Sequence, residues 1–364
     1  MQVDQQQRVH YPALDGIRGL AILLVVFFHN FGFINYFGFG WLGVDLFFVL
    51  SGFLISDVLL KTVTDKNYLR NFYMRRALRI FPLYYLVLII TIFILSAIPS
   101  LNDNLNYYAA NQWWFWTYLQ NWLYVYKTPE NTNFLLHFWS LAVEEQFYLV
   151  WPFVILLLRK PKVLLITVSF FLVFIIATRI VLWENHVEGF KYFSLYTFTR
   201  ADGICIGSML ALIIRINPLF LKKYVGLVAL FLSALNFLFF FLNRAHAFSF
   251  PFFPFVGYTT FAVMFALLIH EAVSGEIFII NKVFSNAILK FFGKISYGFY
   301  VFHWPIYVVL NPRLTHYFET IHDITSKGAQ VLSSIIATAI GLGLSIISYH
   351  FLEMKFIKLK HRFI

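Results

Sequence analysis

The chain has 364 residues, 60% of them hydrophobic and only 12% charged, with a mean hydropathy of +0.73. Soluble domains carry roughly 25% charged residues, so this composition excludes a soluble globular or disordered protein and indicates a polytopic membrane protein. The single cysteine, Cys205, excludes a disulfide framework and a thiolate metal site, and the net charge of +11 fits basic loops on the cytoplasmic side better than nucleic-acid binding.

The first fifteen residues are polar and no signal-peptide cleavage pattern follows them, so the first apolar run is read as a retained span. Ten segments are long enough to cross a bilayer: 17–37, 41–60, 81–98, 137–158, 163–183, 197–216, 222–242, 252–272, 292–310 and 329–351. An eleventh stretch, "NQWWFWTYLQNWLYVY" at 111–126, is rich in Trp and Tyr and reads as an interfacial or re-entrant helix. The expected fold is therefore all-α, a membrane helix bundle of about ten spans forming a single domain over residues 1–364. Alternating the loops places both termini and most of the 28 Lys and Arg on one side, which the positive-inside rule makes cytoplasmic, in the cell's inner membrane.

Taken in chain order, the first span, "GIRGLAILLVVFFHN", carries Arg18 and His29. Eleven residues make three helical turns plus roughly 20°, so the two side chains share a face about 16 Å apart along the axis. Arg18 is expected at the cytoplasmic surface and His29 near the bilayer centre. The second span, "GVDLFFVLSGF", holds Asp45 about 6 Å below the outer surface. The basic run "NFYMRRALRI" puts Arg75, Arg76 and Arg79 at the cytoplasmic face. In "HFWSLAVEEQFYLVWP", Glu144 and Glu145 lie about 10 Å down from the outer end of span four. Arg200 and Asp202, in "FTRADGICIG", read as a local ion pair, and His303, in "KISYGFYVFHWPI", returns to mid-membrane. The other histidines, His137 among them, fall at ends or in loops and receive no role.

Ionisable groups at bilayer depth cost several kcal/mol and mark functional sites by default. An arginine cluster at the cytoplasmic face suits a phosphate-bearing ligand, and acids with an imidazole deeper in suit proton abstraction. Together they describe a donor entering from inside and an acceptor met from outside. Structural readings stand beside this one: an ordinary positive-inside loop for the arginines, and a hydrogen-bonded structural histidine for His303. A proton-coupled transporter or flippase also uses intramembrane acids and histidines, although the chain has no inverted repeat and its cationic cluster is one-sided.

Five motifs in order resemble the acyltransferase 3 family of integral-membrane acyltransferases. They are "LDGIRGLAILLVVFFH" (Arg18, His29), "GVDLFFVLSGFLI" (Asp45, Ser51), "FYMRRALRIFPLYY" (Arg75, Arg76, Arg79), "FWSLAVEEQFYLVWP" (Trp139, Glu144) and "GKISYGFYVFHWPI" (Ser296, Tyr297, His303). The resemblance implies an O-acetyltransferase using cytoplasmic acetyl-CoA to acylate a hydroxyl of an envelope polysaccharide or its lipid-linked precursor. Lipids or secreted small molecules are alternative acceptors. Arg18, Arg75, Arg76 and Arg79 would bind the donor's phosphates. His29 would act as base or acyl carrier, and Asp45 or Glu144 would orient its imidazole. Tyr297 or Ser296 would meet the oxyanion, while Ser51, Trp139, Arg200, Asp202 and His303 are further site candidates. The thioester is already activated, so no metal is expected. Two departures are visible: Glu353 is followed by Met354 and Lys355 where the family often has Glu-x-Pro, and no fused hydrolase-like domain is expected in a chain of this length.

Overall fold

The computed structural model describes residues 11–127, 129, 133–185, 190–219, 225–244, 255 and 257–363. Among them the regular secondary structure is all helix, with no strand. In order the helices are α1 (Pro12–Phe31), α2 (Leu42–Thr62), α3 (Tyr68–Ile89), α4 (Pro99–Ala110), α5 (Gln112–Trp116), α6 (Gln120–Tyr126), α7 (Trp139–Leu158), α8 (Pro161–Glu184) and α9 (Phe190–Ser194). There follow α10 (Thr197–Arg200), α11 (Asp202–Ile216), α12 (Val225–Arg244), α13 (Tyr258–Ser274), α14 (Phe278–Phe284), α15 (Ala287–His322), α16 (Ser326–Ser348) and α17 (Met354–Leu359). Proline opens α1, α4 and α8, where its missing N–H costs nothing. Asn286 caps α15 by accepting from the Ile288 N–H at 2.8 Å.

Among the described residues, six helical segments are long and apolar enough to cross a membrane. A seventh is formed if α13 and α14, which meet at 94° across a short break, are one span. Helices stand at each of the ten predicted segments, although the first residues of 222–242 and 252–272 lie outside the described set.

Two boundaries differ from expectation. The first span was expected over 17–37, but α1 begins at Pro12 and ends at Phe31, before Gly32. His29 therefore sits in the last turn of α1 rather than halfway along it. The basic run around Arg75, expected as loop, is itself helical, because α3 starts at Tyr68 and carries Arg75, Arg76 and Arg79 on its own turns. The aromatic stretch 111–126 is two short helices, α5 and α6, broken at Tyr118, whose φ is 55°.

The packing that positions the site is the contact of α1 with α15. A Cβ on Gly19 would lie 1.9 Å from the Leu289 carbonyl oxygen, and one on Gly293 would lie 1.9 Å from that of Asp15. Without a hydrophobic driving force between helices in lipid, small residues that let backbones touch set the interface. Gly293 lies beside Asp15, and ten residues on His303 lies beside His29, so the two helices run in the same direction. In the same way Gly203 and Gly207 of α11 follow Phe48 and Phe53 of α2, so these two also run parallel.

Candidate active site

The close α1–α15 contact brings His29 and His303, 274 residues apart, within hydrogen-bond reach. His29 Nδ1 is 2.8 Å from His303 Nε2, with the rings stacked at 5.1 Å. The protonation pattern follows from the neighbours. His303 Nδ1 faces two backbone carbonyls, Tyr300 O at 2.7 Å and Phe299 O at 3.1 Å, and a carbonyl only accepts. The ring proton of neutral His303 is therefore on Nδ1, and its Nε2 accepts. His29 must then donate from Nδ1, which leaves the lone pair of His29 Nε2 available as a base. This is the arrangement in which one group fixes the tautomer of the imidazole that acts. Asp45 or Glu144 is expected to orient His29; the hydrogen-bond partner of its Nδ1 is His303 instead.

His137, left without a role on sequence grounds, joins this group. It is buried at 2% exposure, its ring lies 5.3 Å from that of His303, and its Nε2 donates to Val301 O at 3.3 Å. The carbonyl of His137 accepts from the Tyr300 hydroxyl at 2.6 Å, and Ser140 donates to that hydroxyl, also at 2.6 Å. A signal for this face was present: His137, Ser140, Glu144 and Tyr148 recur at helical spacing, which lines up one side of α7 and the turn before it.

Below the histidines a cavity of about 120 Å³ opens between α1, α2, α3, α7 and α15. Arg18, Arg76 and Arg79 line it, together with Ser51, Glu144 and Tyr148, and so does Tyr300, whose ring lies 5.7 Å from that of His303. Three of the four predicted donor-binding cations thus converge; Arg75 is not among the lining residues. Arg18 also holds Asp15 at 2.7 Å, and the Arg76 guanidinium stands 5.1 Å over the Tyr148 ring. The Tyr148 hydroxyl donates to Glu144 at 3.3 Å and is hydrogen-bonded to Ser51. Other mid-helix serines, Ser208, Ser333 and Ser345, turn back to the carbonyl four residues earlier, whereas Ser51 is held on Tyr148. Ser296 and Tyr297 line the cavity too, but their hydroxyls are spent on backbone carbonyls, of Gly293 at 2.9 Å and Ile80 at 2.7 Å. That engagement argues against either as an oxyanion donor in this arrangement.

The remaining candidates form a second group on the far side of α2. Asp45 pairs with Arg200 at 2.6 Å, and Asp202 with Arg179 at 3.1 Å, with Thr259 bridging the latter pair. The expected local Arg200–Asp202 pair is thus replaced by two long-range pairs. Adjacent turns of α10 and α11 aim the two side chains at different helices. The Arg200 guanidinium lies 4.0 Å over Tyr258 and 5.6 Å over Trp139, and Trp139 in turn meets the edge of Phe48, a cavity wall. All four charged side chains are at most 3% exposed. This group locks α2 in place and does not touch His29. Glu353 is buried in a π-turn and accepts from Ser348 at 3.2 Å, against Gly298 of α15.

With this geometry in view, comparison with known proteins is specific. A family model described as an acyltransferase domain matches residues 11–350. The "Peptidoglycan O-acetyltransferase OatA" of Listeria monocytogenes is 30% identical over 326 residues, covering 84% of this chain and 51% of that protein. The "Putative peptidoglycan O-acetyltransferase YrhL" of Bacillus subtilis is 29% identical, covering 96% and 55%. The "Putative O-acetyltransferase SACOL0978" of Staphylococcus aureus is 31% identical, covering 82% and 50%. The chain spans about half the length of these relatives. No solved structure matches it. The match across nearly the whole chain places this multi-pass membrane protein in the integral-membrane acyltransferase family.

Proposed function

We propose that the chain is a membrane O-acetyltransferase that moves an acetyl group from cytoplasmic acetyl-CoA to a hydroxyl of an envelope polysaccharide or its lipid-linked precursor. The observation that carries the reading is the His29–His303 bond, which leaves a buried-side imidazole with a free lone pair about 16 Å along α1 from Arg18. Arg18, Arg76 and Arg79 hold the donor's phosphates, since guanidinium pairs bidentately with phosphate, and the acyl-bearing arm extends along the cavity toward Tyr300. His29 Nε2 removes the acceptor's hydroxyl proton as its oxygen attacks the thioester carbonyl. The carbon–sulfur bond breaks, and the proton passes to the leaving thiolate, giving an O-acetyl ester and free thiol.

The reading includes ten spans, with both termini in the cytoplasm. What supports the count is helix direction. In a ten-span chain α1 and α15 are the first and ninth spans and α2 and α11 the second and sixth, and each pair runs parallel as equal parity requires. Were residues 111–126 an additional span, α1 and α15 would have to run antiparallel.

The test is thiol release and acetyl transfer by the purified protein in nanodiscs, beside His29→Ala and Arg76→Ala. Loss of turnover in His29→Ala and a raised KM for acetyl-CoA in Arg76→Ala are expected. Full turnover in His29→Ala would overturn the assignment of the base.

A further inference from the structure

The acceptor's binding place is the part of the proposed reaction still unassigned, since the cavity holds the donor-side cations and reaches Tyr300, whose ring lies 5.7 Å from that of His303. Beside the histidines stands Trp304, one residue beyond His303. Its ring centre is 4.9 Å from that of His29, and it stacks on Tyr307, one turn further along α15, at 5.5 Å and 16° between planes. The indole N–H is tied to the carbonyl of Asn133 at 2.8 Å, and Asn133 is exposed. The ring is therefore held in a fixed orientation, its polar edge already used, so what it offers a ligand is apolar aromatic surface.

A flat aromatic surface next to a base is the arrangement that recognises a sugar. The axial C–H face of a pyranose lies against the ring while its hydroxyls project sideways toward the base. Within 111–126, Trp116 stacks on Tyr85, Trp122 packs on Tyr196 and donates to Thr197, and Trp113 is exposed. None of these contacts is with His29.

We infer that Trp304, backed by Tyr307, is a carbohydrate-stacking subsite that presents an acceptor hydroxyl to His29 Nε2. The inference rests on the acyltransferase reading above and deepens it by assigning the acceptor end to α15. The acceptor it fits is a pyranose glycan, and a β-1,4-linked N-acetylglucosamine oligomer is a soluble probe of that class.

The test measures acetyl transfer to this oligomer by the full chain in nanodiscs for wild type, Trp304→Leu and Trp304→Phe. Trp304→Leu is expected to raise the oligomer's KM about tenfold, equivalent to about 1.4 kcal/mol for one ring contact, with kcat changed less than threefold. Trp304→Phe, which keeps an aromatic face, should recover most of the loss. An unchanged KM overturns the subsite. A fall in kcat with KM unchanged does so too, since the ring would then only hold His29 in position. Equilibrium binding of the oligomer without acetyl-CoA separates this inference from the reading it rests on. If wild type releases no thiol from acetyl-CoA the enzymatic reading fails, while weaker oligomer binding by Trp304→Leu than by wild type still supports the subsite, and equal binding overturns it.

Discussion

Replacing Gly293 with alanine tests whether the active arrangement depends on the α1–α15 contact. The added Cβ would lie 1.9 Å from the Asp15 carbonyl oxygen, where ordinary contact begins near 3.4 Å. Both partners are backbone, so neither can swing aside, and the helices must separate by about 1.5 Å. Carried along two stiff parallel helices, that displacement opens the 2.8 Å His29–His303 bond beyond hydrogen-bond range. His29 then loses the partner that fixes its tautomer. A displacement of this size at a reacting group costs about a hundredfold in rate. The assay is turnover at saturating acetyl-CoA in nanodiscs, with size-exclusion chromatography confirming a folded, monodisperse protein. Gly343→Ala is the control, because nothing lies within 4 Å of a Cβ there. If folded Gly293→Ala turns over at the wild-type rate, the link from helix contact to histidine geometry is wrong.

Other expectations follow from the same structure. His303→Phe keeps an aromatic ring but removes the acceptor for His29 Nδ1, and kcat should fall about 10²-fold or more, with the KM for acetyl-CoA changed little. Asp45→Ala strands Arg200 in a site where both side chains are at most 3% exposed; the expected loss is about 3–5 kcal/mol, read as a lower thermal unfolding midpoint in detergent. The double variant Asp45→Leu/Arg200→Met should recover much of that loss, since replacing a whole buried pair by apolar groups is often neutral. Topology is checked with cysteines introduced at exposed positions in a Cys205→Ser background. An impermeant maleimide added to intact cells should label Tyr36→Cys and spare Lys66→Cys, and the reverse pattern would invert the proposed orientation.

The class of the molecule and a list of candidate site residues were legible in the sequence alone. Apolar run length and the shortage of charge dictate a helical membrane protein, because every backbone polar group in lipid must be satisfied within a helix. Helical spacing was enough to put Arg18 and His29 on one face, and the one-sided cations were enough to gather Arg18, Arg76 and Arg79. Partners were another matter. Asp45 looked available to His29 along the chain, yet it belongs to Arg200, 155 residues away, and His29 belongs to His303. Spacing placed His137 on the face of Ser140, Glu144 and Tyr148 but did not say that it is buried against His303. Periodicity reports which face of a helix a residue occupies, whereas a partner is chosen by which helices touch and at what height. Here that choice is made by the backbone contacts at Gly19 and Gly293, which fix the register of α1 against α15 and so bring two imidazoles into line.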